Sequence, residues 1–107
     1  MGSSQLTGNL DLLLLAVLTE GEAHGYAVIN RVREQSDGEF DLAEGTVYPA
    51  LHRLEADGLL SSRWQKDSGR RRRTYSLTAP GRVALATKRH EWHRFTIGVH
   101  SVIGATT

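Results

Sequence analysis

A single hairpin set among helical patterns constrains this chain more than any other feature. Residues 59–66 and 70–77 read as two strands around Asp67, Ser68 and Gly69, a strong turn signal. If the hairpin closes symmetrically there, Leu60 faces Leu77, Ser62 faces Tyr75 and Trp64 faces Arg73. Apolar groups then gather at the open end, while Lys66, Arg70, Arg71, Arg72 and Arg73 gather at the tip. A hairpin does not ordinarily concentrate four consecutive arginines unless something neutralises them.

The flanking patterns are helical. Residues 10–18 are nearly all apolar, begin at Asn9 and Asp11 and stop at Gly21; good helix formers without a β-branched run favour a buried helix over a strand. Residues 25–35 carry Tyr26, Ile29 and Val32 at helical spacing and end at Ser36, Asp37 and Gly38. Phe40 and Leu42 alternate with acids, which fits a very short strand. A third helix lies within residues 44–57, where Val47, Leu51 and Leu54 form one stripe and Gly58 is the stop. Pro49 leaves its start open. With Thr46 as N-cap the proline sits in the first turn, where its missing N–H costs nothing; with a start near Glu44 it lies inside the helix and bends it. Thr78 caps the last helix, with Pro80 in its first turn. Leu85, Lys88, Trp92, Phe95, Val99 and Val102 then recur with 3-then-4 spacing, an apolar seam.

A chain of 107 residues is one small domain. Hydrophobic residues at 39% and charged residues at 23% fit a globular protein. The net charge of +1 hides an asymmetry. Residues 1–57 hold ten acids against three arginines, and residues 58–107 hold ten bases against two acids, which hints at an anionic partner for one surface. With no cysteine, disulfides and thiolate metal sites are excluded. The longest apolar run, residues 12–18, is too short to span a bilayer, and it lacks the basic flank of a signal peptide. A cytoplasmic protein with no membrane partner is the simplest expectation. The expected division is a flexible N-terminus over residues 1–9, a unit of helices and hairpin over 10–78 and a helix with a short tail over 79–107.

The order of helices and hairpin has the parts that duplex DNA requires. A helix of about three turns fits the major groove, and the face opposite its core stripe carries Gly45, Thr46, Pro49, His52, Arg53 and Ala56 rather than acids. The adjoining hairpin offers guanidinium groups to phosphates. The fold class read from this is α+β, mainly α: a winged helix-turn-helix. Candidate DNA-binding residues are Tyr26, Gly45, Thr46, Tyr48, Pro49, His52, Arg53, Lys66, Arg70, Arg71, Arg72 and Arg73, the tyrosines through their hydroxyls. Thr46, His52 and Arg53 are the candidates for base contacts, with Pro49 against a thymine methyl.

The string GTVYPALHRLEADGLL at residues 45–60 closely resembles the recognition helix of the PadR family of bacterial transcriptional regulators. His24, Gly25 and Tyr26, the basic run into residues 73–78, and Gly81 fit the same pattern. The resemblance spans residues 10 to about 103 and departs at Thr74, where many members carry a second aromatic. It implies the short subfamily, with one C-terminal helix for dimerisation through Leu85, Trp92, Phe95, Val99 and Val102. In some of its multidrug regulators a tryptophan placed like Trp92 lines a pore where planar drugs stack, so Trp92 and Phe95 are candidate ligand-binding residues. The function implied is a homodimeric repressor on a palindromic operator, released by a small planar or aromatic effector. Two alternatives remain: a metal-responsive regulator using His90 and His93, and a winged helix serving as a protein-interaction module. The histidine pair lacks a third acidic ligand and a closed set, so no metal and no cofactor is assigned. An enzyme is not expected, because no nucleophile or phosphate-loop motif occurs.

Overall fold

The computed structural model describes residues 8–67 and 69–104. Most of the expected flexible N-terminus and the last three residues lie outside that range. Helix α1 (Leu10–Val17) runs into a 3-10 turn (Leu18–Glu20), and strand β1 (Ala23–His24) leads into α2 (Gly25–Gln35). Helix α3 (Glu44–Ala56), strands β2 (Leu60–Asp67) and β3 (Arg70–Leu77), and the long α4 (Ala79–Ile103) complete the chain.

The hairpin closes as its alternation predicts. Leu60 pairs with Leu77, Ser62 with Tyr75 and Trp64 with Arg73. The short strand, however, is not at Phe40 and Leu42. Those residues lie in an irregular approach to α3, where Leu42 is buried and Phe40 packs on the core. The third strand is β1, which joins the far edge of β3 through Ala23 to Tyr75 and His24 to Thr74. Two residues are too few to show the alternation by which a strand is read from sequence.

Helix α3 takes the earlier of its two possible starts, at Glu44, and Pro49 lies inside it. The proline has no amide for the carbonyl of Gly45, a residue on the exposed side of the helix, where water can serve instead. The helix ends at Ala56, Gly58 turns the chain away with a positive φ, and the Leu59 amide bonds the Leu54 carbonyl at 2.9 Å. One core unites all four helices and the sheet. Leu14, Leu15, Val28, Val47, Leu51 and Leu54 are fully enclosed, with Leu60, Tyr75, Leu77 and Leu85 closing the sheet side.

Two anchors set where α3 and α4 stand. The Thr78 hydroxyl accepts from the Gly81 amide at 3.0 Å and donates to the Gly58 carbonyl at 2.7 Å, tying the start of α4 to the end of α3. A side chain at Gly81 would collide with the Leu59 carbonyl. Glycine there lets α4 press directly on the backbone. On the other side, Arg31 donates to the carbonyls of Val17 and Gly21, satisfying the end of α1.

Candidate nucleic-acid interface

Helix α3 buries Val47, Ala50, Leu51 and Leu54. The opposite face leaves Gly45, Thr46, Pro49, His52 and Arg53 exposed, with Tyr48 half-buried. The start of α2, the middle of α3 and the hairpin line a half-open cavity of about 670 Å³. Seven of the candidate residues converge on it: Tyr26, Tyr48, His52 and Arg70 to Arg73. Thr46, Pro49 and Gly45 stay on the exposed face of α3 outside the cavity lining, and Lys66 is exposed on β2.

Close approach builds the floor of this cavity. A Cβ at Gly25 would lie 2.5 Å from Cε1 and 2.9 Å from the hydroxyl of Tyr48. The missing side chain lets the Tyr48 ring rest against the first residue of α2. His24 caps that helix, its Nδ1 lying 3.3 Å from the Ala27 amide. Its Nε2 lies 2.7 Å from Nη1 of Arg72. A neutral imidazole has one lone pair and guanidinium only donates, so the ring accepts from at most one of the two.

The arginines differ in what already holds them. Arg63 pairs with Glu22 at 2.5 Å, which raises the arginine pKa and lowers that of the glutamate, in each case chiefly through the shared hydrogen bond. Arg73 donates to Ser62 at 2.8 Å and lies 3.5 Å from Glu55. Arg71 and Arg73 both cover the Trp64 ring, at 4.7 and 5.4 Å from its centroid, a cation–π stack that holds the guanidinium planes without neutralising them. Acids from the first half of the chain thus neutralise the base of the hairpin and leave its outer arginines positive.

Arg53 does not line this cavity. It makes a two-pronged pair with Asp11 of α1, at 2.7 and 3.0 Å, and Asp11 is the main cause of its raised pKa. The helical projection groups Arg53 with His52, but the start of α1 lies beside the last turn of α3 and supplies a carboxylate. The pair forms one wall of a second cleft, about 560 Å³, shared with Lys88, Glu91, Trp92 and Phe95.

Comparison with known proteins identifies this arrangement. Residues 14–87 match the family described as "Transcriptional regulator PadR-like family". The chain belongs to the PadR-like family. "Transcriptional regulator Rv3488" of Mycobacterium tuberculosis is 42% identical over 78 residues, 73% of this chain and 70% of that protein. A transcriptional regulator from Clostridium thermocellum superposes with a TM-score of 0.86 at 28% identity, over 94% of this chain and 96% of that one. A PadR family transcription regulator from Clostridium difficile does so with 0.74 at 37% identity, over 89% and 97%. The family is one of transcriptional regulators, not of enzymes.

In this PadR-like chain the seam on α4 begins later than its spacing implies. Leu85 is 4% exposed and belongs to the core, so it does not lie on the free face as expected. Heptad spacing identifies a face but not its depth, and α4 packs on α1 with Leu85 in the shared core. The exposed part is Trp92, Phe95, Val102 and their neighbours, with Val99 half-buried. Trp92 and Phe95 rings lie 5.8 Å apart. His90 and His93 are exposed, and among the described residues no group of three or more metal-ligating side chains occurs. No helix among them is long and apolar enough to cross a membrane.

Sequence reasoning missed four members of the cavity: His24, Gly25, Trp64 and Tyr75. The signal for two was present. Hairpin alternation puts Trp64 and Tyr75 on the face that carries Leu60 and Leu77, toward α3. Thr74, where the resemblance departs, is buried and donates to Gln65 Oε1 at 3.0 Å.

Proposed function

We propose that this PadR-like regulator is a cytoplasmic repressor that binds a palindromic operator in duplex DNA as a homodimer and is released by a small planar or aromatic ligand. The observation that carries the reading is the arginine-lined cavity where α2, α3 and the wing converge. Its positive rim suits phosphates, and the exposed Thr46, Pro49 and His52 suit base edges in a major groove. Arg53, paired with Asp11, is left out of the base-reading set. Residues 10–78 form the DNA-binding unit and residues 79–107 the dimerising element, whose two-fold axis places recognition helices about 34 Å or a multiple apart.

The effector reading is supported by Trp92, 43% exposed beside Phe95 on the second cleft. A ligand seated there acts on DNA binding only through a preference for one spacing of the two recognition helices. A mobility shift on DNA from its own gene region tests the main reading. Binding should weaken steeply as salt rises, and equal binding at low and high salt would refute it. Quenching of Trp92 fluorescence by planar dyes in a Trp64→Phe background tests the effector, and dye affinity that survives Trp92→Ala excludes this site.

A further inference from the structure

Tyr75 is left unexplained by the contacts assigned so far. The residue is 1% exposed and lines the cavity under the wing, and its hydroxyl has no hydrogen-bond partner among the described residues. Buried phenols ordinarily find one, because an unmet buried donor forfeits its hydration. Burial raises its pKa above the usual phenol value, while the Arg73 charge pulls the other way. At neutral pH the group is an uncharged donor without an acceptor.

Its surroundings specify the acceptor. Among the described residues, the formally charged groups lining the cavity are the guanidinium groups of Arg70 to Arg73, and no carboxylate lines it. Glu55 is the acid that acts on Tyr75, and it is held by Ser62 at 2.6 Å and by Arg73. The N-terminus of α2, an 11-residue helix, opens on the same cavity through His24 and Gly25, and such a terminus favours an anion. The Tyr48 hydroxyl stands beside it, held there by the glycine. Two phenol donors, a helix start and unneutralised guanidinium groups together describe a seat for one tetrahedral oxyanion.

Resting on the DNA-binding reading, we infer that this cavity seats a single backbone phosphate of the duplex, with Tyr75 and Tyr48 donating to its non-bridging oxygens and Arg71 and Arg72 neutralising it. The Tyr75 hydroxyl is closed to water in the free protein, so its bond forms as the lining side chains shift around the phosphate. The free protein carries an unmet donor, and the complex satisfies it.

Tyr75→Phe tests this directly, because phenylalanine has the same shape and removes only the orphan hydroxyl. The variant should melt at a higher temperature than the wild type and bind duplex DNA about tenfold more weakly, operator and random sequence alike. Its dependence of log K on log salt should be unchanged, since a neutral hydroxyl releases no counterion, whereas Arg72→Ala should flatten that slope by about 0.9. Tyr48→Phe, at a half-buried position, should weaken binding in the same uniform way. Trp64 fluorescence, read in a Trp92→Phe background, reports the source of the phosphate because Arg71 and Arg73 lie on its ring. A short duplex should change the signal, and millimolar inorganic phosphate alone should not; saturation by inorganic phosphate would overturn the backbone assignment. Wild-type DNA affinity in both tyrosine variants would overturn the seat and leave the DNA-binding reading standing. A wild-type chain that ignores every duplex would instead defeat that reading itself.

Discussion

The cavity under the wing and the outer half of α4 are both surfaces that a single chain leaves incomplete, and they lack opposite things. Around the cavity the shortage is of negative charge: arginines crowd the hairpin, and among the described residues its ion pairs with acids are at its base, at Arg63 and Arg73. Along α4 the shortage is of apolar cover: Trp92, Phe95, Ile97, Val102 and Ile103 stand in water on a domain too small to waste them. The first surface suits a polyanion and should weaken as salt screens it. The second suits another apolar face, and salt should not weaken that contact. If the proposed duplex and second copy are the partners, one small domain separates them by the physics of their attraction rather than by distance alone.

The strongest way to break the comparison is to remove charge from the wing. Arg70, Arg71 and Arg72 replaced together by alanine should flatten the salt slope of DNA binding by up to about 2.7, at about 0.9 per lost phosphate contact. Sedimentation should show the assembly of the chain unaffected. The converse substitution is Val102→Asp, at a position 87% exposed. It should leave the fold intact, convert dimers to monomers in sedimentation velocity, and reduce affinity for a palindrome far more than for a half-site.

Leu85 sharpens the boundary between core and seam. Leu85→Ala should cost about 2–5 kcal/mol of stability in denaturant unfolding, while Val102→Ala should stay within about 0.5 kcal/mol in the monomer. Equal costs at the two positions would mean that α4 is a seam along its whole length. The smallest effect concerns pH. The native Tyr75 phenol titrates above its ordinary value near 10 because it is buried. Its contribution is therefore complete below that value and lost as pH rises toward the raised native pKa. Tyr75→Phe should remove that part of the alkaline decline in thermal stability.

Most of the fold was legible because its strongest signals are local. The turn at Gly69 and the alternation around it determine the register of the hairpin residue by residue. Thr78 and Pro80 mark the start of α4. What escaped was set by contacts between distant segments. Strand β1 exists because Ala23 and His24 meet Tyr75 and Thr74 across some fifty residues of sequence. The partner of Arg53 is Asp11, 42 positions earlier, a pairing that a helical projection does not show. Leu85 fits a heptad perfectly well and is nonetheless core, since spacing carries no information about which neighbour arrives first. The same limit hid Tyr75, whose missing hydrogen bond is a property of its surroundings and not of its pattern.

The rooting of α4 has a mechanical consequence. The helix is 25 residues long, about 37 Å at 1.5 Å per residue. Its base is clamped to the end of α3 by Thr78, by the close contact at Gly81 and by Leu85 in the core, while its apolar tip is where a second copy would take hold. Such a boom works as a reduction gear. A displacement of about 3 Å at the tip, roughly the thickness of one aromatic ring, corresponds to a rotation of only about 5° at the root, given that length. Coarse motion where two chains meet would reach the recognition helix as fine adjustment of its angle.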